Sequence, residues 1–229
     1  MKTHKDWIQN QELLSMPNIE TSTRCTLRCP QCARAALYAD KSTRKYKDIR
    51  NRIDSGSDLS LKSAELLLQF FKQGIMLCGS ISDPVVWPNF IDFLKLKKEK
   101  YADRKLRIYT AASQKNIEWY KTAFELSDDS ITWIFGLDGL PGTSEKYRIG
   151  QNSQLILDAM ILARSLNIDV DWQYLVFTHN VHQIDDARKI AKENGINLLL
   201  MKSDRTGGGV EVPAEWKPKK NKEIVYDSI

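Results

Sequence analysis

Cysteine is scarce in this 229-residue chain and histidine scarcer, with four of one and three of the other. So few thiols cannot build a disulfide framework, and no secretory signal is expected from the N-terminal residues. No apolar run approaches the roughly 18 residues of a membrane span, so no membrane partner is expected either. Neither sign of charge dominates: the net charge is +5. That mild excess does not itself indicate nucleic acid, because much of it sits in two segments. No internal repeat is visible beyond an alternation of strand-like and helix-like runs. Apolar residues make up 42% of the chain and charged residues 28%, which suits a globular protein with a substantial core.

The scarce cysteines are crowded. Cys25, Cys29 and Cys32 fall in the run Thr23-Arg24-Cys25-Thr26-Leu27-Arg28-Cys29-Pro30-Gln31-Cys32, with the spacing C-x3-C-x2-C. Iron–sulfur clusters normally take four thiolates. Three on one short loop can hold three irons of a 4Fe–4S cubane and leave the fourth iron open to a small molecule. A partial zinc site is the plainer reading, but structural zinc takes four ligands, usually as two spaced pairs. The remaining thiol, Cys78, and His4 are distant in sequence. A non-catalytic iron–sulfur or zinc module is therefore the rival from another functional class. A cluster easily destroyed by oxidation points to a cytoplasmic location.

The pattern along the chain reads as α/β, because short apolar runs alternate with segments of helical period. Six strands are expected, near Asn18–Thr21 and at Ile75–Cys78, Leu106–Tyr109, Ile131–Leu137, Val170–Phe177 and Ile196–Met201. Helices between them carry apolar stripes, such as Leu61, Ala64, Leu67, Leu68 and Phe71 after the N-cap Ser60, and Leu155, Ala159, Leu162 and Leu166 further on. Gly74 and Gly195 are expected to stop helices.

The cysteine run resembles the signature of the radical S-adenosylmethionine (radical SAM) superfamily. The resemblance implies a partial (β/α)6 barrel of the radical SAM type. On that reading the barrel covers residues 1–203, with a basic insert at 34–57 and a flexible C-terminal tail at 204–229. It implies that Cys25, Cys29 and Cys32 hold one 4Fe–4S cluster whose open iron chelates S-adenosylmethionine. Reductive cleavage would give a 5′-deoxyadenosyl radical that takes a hydrogen atom from a substrate. A one-electron reductant such as flavodoxin or ferredoxin would be a partner. Nothing follows Cys78 in the way of cysteine, so one cluster is expected and no auxiliary-cluster domain.

Other motifs fall in the order this family shows. Leu77-Cys78-Gly79-Ser80-Ile81-Ser82-Asp83-Pro84 resembles its glycine-rich turn under the methionine amino group, with Ser82 where a second glycine is usual. Gly79, Ser80, Ser82 and Asp83 are thus cofactor-binding candidates; as a plain strand-to-loop turn the segment would read equally well. Phe135-Gly136-Leu137-Asp138-Gly139 with Tyr147-Arg148-Ile149-Gly150 resembles a stretch of the molybdenum-cofactor and peptide-maturing branch. There Gly136 stands where serine is common. Arg148 would meet the cofactor carboxylate, for which a planar guanidinium is suited, and Asp138 would orient the loop. Thr110 matches a strand-end Thr, and Ser113 reads as a helix cap. Asn180 reads as a helix N-cap, Gln173 as barrel-facing by strand alternation, and His179 and His182 as surface residues. Cys78 is either a hydrogen-atom donor or a small apolar residue.

Between Arg34 and Arg52 stand seven Lys or Arg against two Asp, with Tyr38 and Tyr46 interleaved. This fits contact with a substrate at the open face, or equally a solvated charge run. The likeness to the peptide-maturing branch favours a peptide or protein substrate; the basic insert keeps RNA or a nucleotide open.

Overall fold

The computed structural model describes residues 16–39, 47–111 and 114–218. Five parallel strands form one sheet in chain order: β1 (Gly74–Cys78), β2 (Lys105–Thr110), β3 (Ile131–Gly136), β4 (Asp169–Leu175) and β5 (Asn197–Met201). Helices α1 (Ala33–Ala39) and α2 (Lys47–Ser55) precede α3 (Leu61–Phe70). Each later helix is a crossover between neighbouring strands: α4 (Phe90–Lys100), α5 (Ile117–Glu125), α6 (Ser153–Ser165) and α7 (Ile184–Glu193). Parallel neighbours require such crossovers.

Side chains alternate across each strand, and the two faces of the sheet differ in kind. Leu77, Ile108, Trp133 and Val170 lie in register and are buried against the helices. Trp133 stacks on Phe135 at 5.8 Å between ring centres, and Phe90, Tyr120 and Phe124 pack around Trp133. On the opposite face the register row Cys78, Tyr109, Ile134, Asp171 and Asn197 is mostly part-exposed and more polar. A parallel sheet is usually covered on both faces. Here the second face forms the wall of a cleft.

The strand expected near Asn18–Thr21 is reduced to a single parallel bridge between Asn18 and Met76. Ile19 donates to the Met76 carbonyl at 2.8 Å, and Met76 donates to the Pro17 carbonyl at 2.9 Å. The segment therefore runs beside β1 as an edge. Pairing goes no further because Pro17 offers no N–H and because Ser22 bridges instead to Asp58 in the antiparallel sense. Gly74 does not terminate α3, which ends at Phe70 with Phe71 as its C-cap. Gly74 opens β1 at φ +115°, and a Cβ there would sit 1.9 Å from the Lys105 carbonyl oxygen.

Two segments read as irregular are built into the fold. The described part of the basic insert forms α1 and α2, where the buried Arg50 donates to the Leu37 carbonyl and Tyr38 donates to Asp54 at 2.6 Å. Residues 204–218, expected as a flexible tail, pack instead against the cysteine loop. Val210 and Val212 are buried in a small apolar cluster with Leu27, Cys29, Tyr147 and Phe177. The rest of the tail, 219–229, lies outside the described residues.

A lysine lies wholly inside the fold. Lys97 has no solvent exposure and donates to both Asp128 oxygens, at 3.0 and 3.1 Å, and to the Ala102 carbonyl. Burial works to raise the Asp128 pKa, but hydrogen bonds from Ser130 and Lys97 outweigh it and hold the carboxyl below its ordinary value. The stability this supplies is present above the ordinary carboxylate pKa and is lost as pH falls towards the folded value. Lys97→Ala should lower unfolding free energy by roughly 3 kcal/mol, as for a broken buried pair. Chemical denaturation checks this, and a loss below about 1 kcal/mol would give the pair the worth of a surface contact.

Candidate active site

The C-terminal ends of the strands open on a cleft of about 600 Å³. Ligand sites in open α/β sheets sit at this end, where loops diverge from the strand tips. The cleft gathers Cys25, Cys29 and Cys32 with Cys78, Gly79, Ser80, Ser82, Asp83, Thr110, Gly136 and Arg148. The sequence-derived candidates thus meet in one place, apart from Asp138, which lies directly behind Arg148.

The cysteine loop is pinned at both ends. Leu27 is its apolar anchor, buried against Tyr147 and Phe177. Arg28 donates its backbone N–H to the Ile149 carbonyl at 2.9 Å, and Cys32 turns back to the Cys29 carbonyl at 3.1 Å. Arg34, assigned from sequence to the insert, serves this loop instead. Its Nη1 donates to the carbonyls of Thr23 at 2.5 Å and Ile81 at 3.1 Å, joining the cysteine loop to the glycine turn.

All the cysteines are free thiols; Cys29 is buried, and Cys25 and Cys32 are half-buried. Burial pushes Cys25 up to about 12, assisted by the negative charge of Asp83 and by the neighbouring thiols. Burial likewise raises Cys29, although Arg148 works against it. A lone zinc draws its ligands onto one point, whereas a cubane spreads them over separate irons. Three free thiols on one loop, all lining the cleft, are a donor set of the kind a cluster takes.

The glycine turn depends on a residue that sequence reasoning missed. Glu20 Oε1 accepts the backbone N–H of Ser80 and, at 3.1 Å, that of Ile81, while Oε2 accepts the Ser82 hydroxyl at 2.6 Å. A period-two reading of the first segment places Glu20 on the same side as Asn18, whose Oδ1 accepts the Cys78 N–H at 3.0 Å. Only glycine fits at position 79, since a Cβ there would lie 2.1 Å from the Ser82 carbonyl oxygen. Asp83 is buried. Its carboxylate accepts the Thr110 hydroxyl at 2.8 Å and the N–H groups of Ala111 and Val85 at 2.9 and 3.2 Å. Asp83 and Thr110 thus tie the tip of β1 to the tip of β2. Ser113 lies outside the described residues.

Arg148 and Asp138 form one unit. Arg148 Nε lies 2.8 Å from Asp138 Oδ2, and its Nη2 lies 3.3 Å from Oδ1, which also accepts the Leu175 N–H at 2.8 Å. Asp138 is fully buried and the arginine side chain 11% exposed. Gly136 now has a physical reason. A Cβ at that position would meet Arg148 Nη2 at 2.6 Å and Cζ at 2.8 Å, so the guanidinium occupies the space a side chain on β3 would need. Around this pair, Ser144 accepts the Asp138 N–H, and Gln151 donates to the carbonyls of Ala111 and Gly136. Neither residue carries a sequence signal.

Asn180 makes no N-cap bond. Its side chain instead donates to the carbonyls of Asp138 and Leu175 and accepts the Phe177 N–H, bracing the tips of β3 and β4. Gln173 lines the cleft as alternation predicts, beside Tyr109 and Ile134, and Cys78 lies at the tip of β1. His182 is exposed, but His179 is part-buried and stacks on Phe177 at 5.4 Å. Neither histidine is among the residues lining the cleft.

No protein-family profile and no curated protein matches the sequence. Solved structures match the fold. Streptococcus suis SuiB bound to precursor peptide SuiA aligns with a TM-score of 0.61 and 17% identity, over 85% of this chain and 41% of SuiB. The enzyme anSMEcpe with bound AdoMet and Cp18Cys peptide gives 0.59 and 12%, over 88% of this chain and 55% of that one. The cobalamin-dependent S-adenosylmethionine radical enzyme OxsB gives 0.50 and 17%, over 75% and 25%. This chain therefore has the partial-barrel α/β fold of radical SAM enzymes, and it spans between a quarter and just over half of the length of those proteins.

The paired state of Arg148 changes what its replacement does. Arg148→Met leaves the Asp138 carboxylate buried without its cation, a loss of roughly 3–5 kcal/mol. Arg148→Met with Asp138→Asn should recover part of that loss in denaturant unfolding. Equal losses in the single and double variants would show that the pair is not coupled.

Proposed function

We propose that this protein is a radical SAM enzyme with one 4Fe–4S cluster held by Cys25, Cys29 and Cys32. The observation that carries this reading is the convergence of three free thiols on a cleft shared with the Gly79 turn and Arg148. When bound, the cluster supplies an electron to S-adenosylmethionine and so generates the 5′-deoxyadenosyl radical. The chain's own residues bind, orient and exclude water. Glu20 and Arg34 hold the glycine turn in place beneath the cofactor's amino-acid end. Arg148, fixed by Asp138, presents the uncommitted side of its guanidinium to a carboxylate. Tyr109, Ile134 and Gln173 on the part-exposed sheet face flank the substrate. Asp83 and Thr110 contribute by locking the strand tips, because their polar groups are already engaged with protein.

A peptide or protein is the substrate class best supported. SuiB and anSMEcpe, which share the fold, are seen with peptides bound. The electrostatic ground for RNA is weaker than the charge count of the insert implies, since Arg34 and Arg50 are committed to backbone carbonyls. Among the described insert residues, Lys47 and Arg52 remain exposed for contact with a partner. Electron supply falls to a one-electron donor such as flavodoxin or ferredoxin. An oxygen-sensitive cluster suits the cytoplasm, and no helix among the described residues is long and apolar enough to cross a membrane.

The test is product formation by anaerobically reconstituted protein. With dithionite, the wild type should convert S-adenosylmethionine to 5′-deoxyadenosine and methionine. Cys25→Ala, Cys29→Ala and Cys32→Ala should each abolish this and lose iron, while Cys78→Ala keeps its iron. Stable zinc binding with neither product would identify a metal module instead. Iron loss in Cys78→Ala equal to that in the trio variants would contradict the ligand set.

A further inference from the structure

The C-terminal segment does more than close the fold. From the tip of β5 the chain returns across the cysteine loop. Ser203 donates to the Trp216 carbonyl at 3.2 Å, joining the two ends of a strap, and Thr178 donates to the Glu211 carbonyl at 2.9 Å, fastening its middle to the loop after β4. Its middle turns at Gly207 and Val210, which exchange backbone hydrogen bonds. The turn rests on the peptide between two of the cysteines. A Cβ on Gly208 would lie 2.4 Å from Pro30 Cβ, and one on Gly207 would lie 3.2 Å from Gln31 Nε2. Glycine lets the strap lie against the loop, and at both positions φ is positive as well.

The strap carries Arg205 into the cleft. Arg205 Nη1 donates to the Tyr147 hydroxyl at 3.0 Å, and Tyr147 is buried in the same apolar cluster as Cys29. Arg205 lines the cleft with the cysteine trio and Cys78. Of the other arginines lining the cleft, Arg28 is exposed to solvent and two are engaged. Arg148 is neutralised by Asp138, and Arg34 is held by two carbonyls. No carboxylate lies within ion-pair distance of Arg205 among the described residues. A cubane with three thiolates is net-negative, and reduction adds a further negative charge. An uncompensated cation nearby favours the reduced state, and cluster potentials respond to such local charge.

We propose that residues 203–218 form a strap that seats on the cysteine loop and positions Arg205 as the cation favouring reduction of the cluster. This rests on the cluster assignment above. Arg205 is then a positioning residue acting through its charge, and its replacement should move a potential rather than remove the metal.

The experiment is an anaerobic redox titration of reconstituted protein, followed by the electron paramagnetic resonance signal of the reduced cluster, with iron content measured in parallel. Arg205→Gln should keep its iron, yet at the wild-type midpoint its reduced-to-oxidised ratio should fall about threefold or more. At 59 mV per decade for a one-electron couple, threefold corresponds to about 28 mV. Arg205→Lys should stay near the wild type. Gly208→Val, which forces the turn off Pro30, should shift the same way as Arg205→Gln. An unchanged midpoint in iron-replete Arg205→Gln overturns the proposal, as does an equal shift in Arg205→Lys. Iron loss in both Arg205 variants would make the residue structural and also overturns it. Failure of the wild type itself to assemble a cluster would instead refute the proposed function.

Discussion

The site depends on a carboxylate that has no contact with solvent. Asp138 sits just beyond the end of β3, and its two oxygens hold Arg148 and the Leu175 N–H. Its backbone carbonyl accepts from Asn180, and its backbone N–H donates to Ser144. One residue thus joins the tips of β3 and β4 to the loop that runs on to α6. Buried charge is tolerated only when paired and hydrogen-bonded, so the geometry of this knot is strongly determined. The consequence reaches along the chain. The Arg148 guanidinium fills the space above Gly136, and the backbone of Ile149 accepts from Arg28 in the cysteine loop. The thiols are held in place, in part, by a salt bridge that none of them touches.

Much of the fold is legible because period and burial agree. The β1 to β5 positions follow from apolar runs of strand length, and the helices from apolar periodicity, although α6 buries Ile156, Ala159, Met160 and Ala163 rather than the expected Leu155, Leu162 and Leu166. The part-exposed inner face was legible only in fragments, such as Gln173, because its polar and apolar residues alternate without a strong contrast. The first expected strand is shorter than its composition suggests. Asn18 to Thr21 has strand composition, but Pro17 lacks a donor and Glu20 turns to the glycine turn, so pairing stops at one bridge. The tail departs from its composition for a related reason. Gly207, Gly208 and Gly209 have the composition of a linker, yet here glycine is required by close contact with Pro30 and by positive φ. Composition alone does not separate a flexible glycine from one that must admit a neighbour.

The site divides along the same line. Cys25, Cys29 and Cys32 stand out in the sequence by their spacing, and the structure brings them to one cleft. Gly79, Asp83, Thr110 and Arg148 were legible as positions, and the cleft gathers them. Their partners were not. Nothing in the sequence says that Asp83 is satisfied by Thr110 and Ala111, that Arg148 belongs to Asp138, or that Glu20 braces the turn. These are long-range pairings between residues common on any surface. Arg34 shows the reverse error. In a run of positive charge it reads as a surface residue, whereas its donors join two loops of the cleft.

The central claim is that three thiolates leave one iron of a cubane open to S-adenosylmethionine. Mössbauer spectroscopy of protein reconstituted with isotopically enriched iron addresses it without any knowledge of the substrate. The account predicts a 4Fe–4S spectrum in which adding S-adenosylmethionine alters one iron site and leaves the other three unchanged, with no such change in Cys29→Ala. A spectrum unaffected by the cofactor in cluster-replete protein, or one showing four equivalent protein-ligated irons, would contradict it.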